Sequence, residues 1–74
     1  MNKQEMLNAL EEILMLDNGG LSEESILSDY EDWDSLAYLS LMTLFDTKLG
    51  MNINSEQIST LKTVKDVLKL ANIN

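Results

Sequence analysis

The residues in this chain best placed to do chemistry are Asp34-Ser35-Leu36, which open an apolar stretch. A serine placed directly after a capping aspartate presents its hydroxyl at a helix N-terminus. The unsatisfied backbone N–H groups and the helix dipole there favour a bound or attached phosphate. Asp34 suits the cap itself, because a short acidic side chain accepts from the free N–H groups of the first turn. The chain has neither His nor Cys. That excludes a conventional triad, a zinc site of the usual ligands and an imidazole base near neutral pH. With no evident base beside it, Ser35 reads as an acceptor of modification rather than a nucleophile that turns over. The plainer reading is that Asp34 and Ser35 are ordinary capping residues.

Carboxylates cluster just before this stretch, at Asp29, Glu31, Asp32 and Asp34. A calcium loop beginning at Asp29 would place Trp33 at its third ligand position and Asp34 where the turn needs glycine. No metal site is expected from that spacing.

Four helices are predicted to position these groups. Over about residues 2–16, Met6, Leu7, Leu10, Ile13 and Leu14 form a stripe about 120° wide at ~100° per residue. Glu5, Asn8, Glu11 and Glu12 fall outside that stripe, and Asn18-Gly19-Gly20 supplies a stop, since glycine accepts a left-handed C-terminal cap. A long connection follows, with Leu21, Ile26, Leu27 and Tyr30 expected to pin it to the core and Ser22 able to cap a helical turn. The second helix is predicted over 35–49, ending at Gly50. Ala37, Leu39, Leu41, Met42, Leu44, Phe45 and Leu49 cover most of its circumference, as in a helix packed on several sides. The exposed remainder is Leu36, Ser40, Thr43 and Thr47, with Asp46 at its edge. A short helix over about 55–60, capped by Asn54 or Ser55, carries Ile58 and Leu61. Thr63-Val64-Lys65-Asp66 fits a capping box and opens a last helix to about residue 72, with Val64, Val67, Leu68 and Ala71 on one face.

Seventy-four residues, 45% of them apolar, suit one small all-α bundle over 1–74, whose core must come from helix packing without disulfides. The net charge of −8 opposes binding to nucleic acid or anionic membranes. The acidity is uneven: residues 1–34 sum to −9 and residues 35–74 to +1. Such asymmetry suits either a solvated face or a surface meant for a charged partner. No apolar run approaches the ~20 residues of a bilayer span. Glu5, Glu11 and Glu12 interrupt any signal-peptide core, so a cytoplasmic protein is expected.

The order of these elements, with LSEESILSDYEDWDSL at 21–36 and LKTVKDVLKL at 61–70, resembles an acyl carrier protein over essentially the whole chain. The resemblance implies a four-helix bundle of acyl-carrier type and a non-catalytic shuttle, expected to be monomeric. It implies that a phosphopantetheinyl transferase attaches 4′-phosphopantetheine from coenzyme A to Ser35, with magnesium serving only the attaching enzyme. Asp34 matches the acidic residue that helps the transferase and its metal engage the site. Leu36 matches the apolar residue that partner enzymes contact beside the arm, with Ser40, Thr43, Asp46 and Thr47 completing the partner-facing stripe. The implied partners are an acyl- or aminoacyl-loading enzyme and a downstream synthase or transferase. A chain without cysteine needs such a group to supply the thiol for thioester chemistry.

Two features depart from housekeeping fatty-acid carriers. Those carriers have several carboxylates along the second helix, where this chain has Ser40, Thr43 and Thr47 with Asp46 nearly alone. Trp33 also precedes Asp34, giving the Trp-Asp-Ser-Leu sequence common among carriers of specialised pathways. Both favour polyketide, modified-sugar, lipid-tailoring or aminoacyl chemistry, and an aminoacyl- or peptidyl-type carrier is the alternative within the family. Trp33 and Tyr38 also read as packing residues at the edge of the core. The rival of another class is an acidic interaction or inhibitor module without a prosthetic group, which has no use for a serine at an exposed helix start.

Overall fold

A computed structural model describes residues 1–16 and 20–73. The first helix, α1 (Lys3–Ile13), begins at a reciprocal capping box. The Asn2 side chain accepts from the Glu5 N–H at 2.8 Å, and the Glu5 carboxylate accepts from the Asn2 N–H at 3.0 Å. α1 stops short of the predicted residue 16, because Met15 adopts a left-handed backbone at φ 57°. The Met15 N–H donates to the Glu12 carbonyl at 3.1 Å and the Leu16 N–H to the Glu11 carbonyl at 2.9 Å. This pair of bonds is a Schellman termination built on a non-glycine residue. Asn18 and Gly19, where the stop was expected, lie outside the described residues.

Glu11 also departs from the pattern. It is only 6% exposed, and its carboxylate accepts from the Gly20 N–H at 2.9 Å. Helical periodicity placed it outside the apolar stripe; in the fold it is buried and serves the Gly20 backbone, nine residues on, as an acceptor.

α2 (Ser35–Leu44) continues into a π-helical turn over Phe45–Leu49, so helical backbone fills the predicted 35–49 span. The Thr43 hydroxyl donates to the Leu39 carbonyl at 3.0 Å and the Thr47 hydroxyl to the Thr43 carbonyl at 2.9 Å. Hydroxyls bonded one turn back compete with the backbone ladder, and these two lie along the stretch in which it widens. Gly50 ends the segment at φ 64°, a conformation glycine adopts without a Cβ penalty.

The short α3 (Ser55–Ser59) is capped by Asn54 in a box with Gln57, and α4 (Val64–Leu70) by Thr63 in the expected box with Asp66. Asp66 accepts from the Lys62 and Thr63 N–H groups at 3.0 and 3.2 Å. Those bonds, with a smaller contribution from Lys69, hold its carboxyl below the ordinary carboxylate range. At its end, α4 repeats the Schellman pattern on Asn72, at φ 60°.

α2 packs against α1 and α3, and α1 against α4. Met6, Leu10, Leu14, Leu27, Leu41, Phe45, Ile53, Ile58, Val64, Val67 and Leu68 make one continuous core. Among the described residues no strand forms, and the molecule is a small all-α bundle of four helices.

The connection between α1 and α2 is pinned in two ways. Leu27 is buried in a 3₁₀ turn, Leu27–Asp29. Ile26, expected inside, is instead 47% exposed and pairs through its backbone with Thr63 in an isolated antiparallel bridge. The Leu27 N–H donates to the Lys62 carbonyl at 2.8 Å, and the Val64 N–H to the Ser25 carbonyl at 3.1 Å. These bonds tie the loop to the start of α4 and so fix the direction from which it enters α2. Ser22 and Ser25 form a local turn, in place of the helical turn expected after Ser22.

Candidate functional site

The N-terminus of α2 assembles the residues singled out by the sequence. Asp34 is the cap: one carboxylate oxygen accepts from the Leu36 and Ala37 N–H groups at 3.1 and 3.3 Å. Its backbone carbonyl accepts from the Tyr38 N–H at 2.9 Å. The approach is braced by the Trp33 N–H donating to the Tyr30 carbonyl at 3.1 Å and the Asp34 N–H to the Asp32 carbonyl at 3.0 Å. Ala37 is buried and anchors the first turn to the core, leaving Ser35 and Leu36 directed outward.

Ser35 is exposed, and its hydroxyl makes no hydrogen bond with any described residue. An exposed, unpartnered hydroxyl on a capped first turn fits a covalently attached group, because attachment breaks no internal contact. One electrostatic point differs from the bare helix end. The Asp34 carboxylate already occupies two of the N–H groups that would otherwise face an anion.

Leu36 is 72% exposed, and Ser40, Thr43, Asp46 and Thr47 are exposed with it. The structure adds Leu39, expected to be buried yet 58% exposed. At ~100° per residue Leu39 falls between Thr43 and Asp46, inside the same solvent-facing sector. The α2 face therefore joins two exposed leucines to three hydroxyl side chains, with Asp46 its one acid. The side with Ala37, Leu41 and Phe45 is buried. Asp29, Glu31 and Asp32, in the approach to α2, are exposed.

Trp33 and Tyr38 are both half-buried, with ring centroids 5.2 Å apart at 63°, an edge-to-face pair across the helix start. Sequence reasoning placed both at the core edge; their mutual contact appears only once the loop and helix meet. An open groove of about 410 Å³ lies between α1 and the far end of α2, lined in part by Glu5, Ala9, Leu44 and Lys48. Leu44 is nine residues beyond Ser35, about 13 Å along the helix, so this groove does not belong to the site. Among the described residues no group of three or more His, Cys, Asp or Glu side chains is arranged to hold a metal ion. No helix among them is long and apolar enough to cross a membrane.

This scaffold, with an exposed serine at the head of its central helix, matches the phosphopantetheine attachment site family over residues 4–71. Two curated relatives, the acyl carrier proteins of Myxococcus xanthus and Micrococcus luteus, are each 31% identical to it over 71 residues. The alignments cover 90% of this chain and 90% and 88% of those relatives. No solved structure gave a significant match. The chain belongs to the acyl carrier protein family. It is accordingly a non-catalytic carrier that bears covalent 4′-phosphopantetheine.

Proposed function

We propose that Ser35 is the attachment residue and that residues 1–74 act as one carrier unit, a cytoplasmic monomer serving a specialised biosynthetic pathway. The supporting observation is the Ser35 hydroxyl itself, exposed and unpartnered one residue after a capping aspartate. In the modification, Ser35 Oγ attacks the phosphorus of coenzyme A that bears pantetheine. The new Oγ–P bond forms as the pyrophosphate P–O bond breaks; the serine proton leaves to a base of the transferase, and adenosine 3′,5′-bisphosphate departs. Asp34 helps that enzyme and its magnesium engage the site. The attached group supplies the thiol on which acyl cargo is carried as a thioester.

Leu36, Ser40, Thr43, Asp46 and Thr47 form the face that loading and downstream enzymes read. The scarcity of acids along α2 supports a specialised pathway over general fatty-acid synthesis, because a basic partner surface finds little to grip there. Reconstitution with coenzyme A, magnesium and a broad-specificity phosphopantetheinyl transferase tests the site. Wild type, Ser28→Ala and Ser40→Ala should each gain the mass of one phosphopantetheine, and Ser35→Ala should gain none. A Ser35→Ala protein that takes the full mass overturns the assignment.

A further inference from the structure

The residues around Ser35 leave a phosphodiester there short of partners. Residues 24–47 contain no lysine, and the chain contains no arginine. Asp34 already occupies the Leu36 and Ala37 N–H groups, and Asp29, Glu31 and Asp32 add negative charge to the approach. A neutral donor is the one kind of group that can meet an anion in such surroundings without itself needing a counter-charge.

Trp33 offers that donor. Its indole N–H makes no hydrogen bond with any described residue and is not sealed from solvent, the residue being half-buried. Its ring is held against Tyr38. Tyr38 lies three residues beyond Ser35 on the same side of the helix, and a helical side chain covers the turn N-terminal to its own Cα. The aromatic pair therefore borders the first turn of α2, where Ser35 sits.

Building on the attachment of phosphopantetheine to Ser35, we infer that Trp33 is a positioning residue for the arm. Its indole N–H donates to the phosphodiester on Ser35, and its ring, braced by Tyr38, screens one side of the arm's base. The arm thereby leaves the helix in a restricted set of directions, towards the exposed leucines of α2.

Trp33 is the chain's one tryptophan, so its signals report on this site alone. Apo and holo protein, with the arm located on Ser35 by mass, are compared by acrylamide quenching of tryptophan emission and by the indole N–H resonance. The inference expects weaker quenching and a downfield-shifted indole proton in the holo form. It also expects Trp33→Phe, which keeps an aromatic ring against Tyr38, to move the phosphorus resonance of the holo protein. Equal quenching and an unmoved indole resonance in a holo protein modified at Ser35 overturn the inference alone. A chain that takes no arm at Ser35 overturns both it and the function on which it rests.

Discussion

Leu36→Ala isolates how partners grip the α2 face. Burying a leucine side chain fully contributes about 1.5–3 kcal/mol, and dispersion contacts are not screened by salt. Leu36 is 72% exposed in the free carrier. Most of that term is still available to a partner, about 1–2 kcal/mol, or roughly a 6- to 30-fold change in affinity. Asp46, the one acid on this face, offers an exposed pair with a partner about 0.2–1 kcal/mol that falls with salt. The folded carrier should hardly notice either change, because both side chains are exposed and surface substitutions of this kind stay within about 0.5 kcal/mol. Holo Leu36→Ala and Asp46→Asn proteins should be titrated with the cognate loading enzyme at low and physiological ionic strength, after matched unfolding curves. Leu36→Ala is expected to weaken binding more than Asp46→Asn, and wild-type affinity to fall only modestly with salt. Wild-type loading by Leu36→Ala, or a steep salt dependence, would show that the face is read by charge.

Asp34→Ala should cost about 1 kcal/mol of stability through loss of the cap. Asp34→Asn, a comparable cap, should leave urea unfolding within a few tenths of a kcal/mol yet still slow the transferase, which separates capping from recognition. The lowered pKa of Asp66 sets the sign of a pH effect. Its contribution is present above the unfolded-state value and is lost as pH falls through the lower folded value. Asp66→Asn should therefore lose stability at neutral pH and show a shallower decline on acidification, and denaturant curves of equal pH slope for the two proteins would contradict this. Met15→Gly should stabilise the protein by up to about 1 kcal/mol in thermal or chemical unfolding, since Met15 is 79% exposed and holds a left-handed backbone that glycine adopts freely. A loss of stability there would mean that Met15 packs in a way its exposure does not reveal.

The helices and the head of α2 were legible because the information is local. Asp34 as cap and the Thr63–Asp66 box follow from residue types a few positions apart, and both appear with the expected bonds. The Asn2–Glu5 box was equally readable from the same spacing and was missed. Other features depend on what the folded chain brings alongside. Glu11 is buried and accepts from a backbone N–H nine residues on, and Ile26 is exposed while its backbone, not its side chain, ties the loop to Thr63. Leu39 misled for a different reason: it was grouped with the apolar side chains that cover most of the helix, while its angular position beside Thr43 puts it on the outer face. The end of α1 was misplaced because glycine signalled a stop that Met15, at a conformation few side chains favour, makes earlier.

The central claim is that Ser35 bears the arm, and one measurement bears on it most directly. The protein is purified from a host with its own phosphopantetheinyl transferase, digested, and the peptide spanning Trp33 to Tyr38 is fragmented in a mass spectrometer. One phosphopantetheine localised to Ser35 is the predicted result. An unmodified Ser35, with the added mass on another residue or on none, would contradict it.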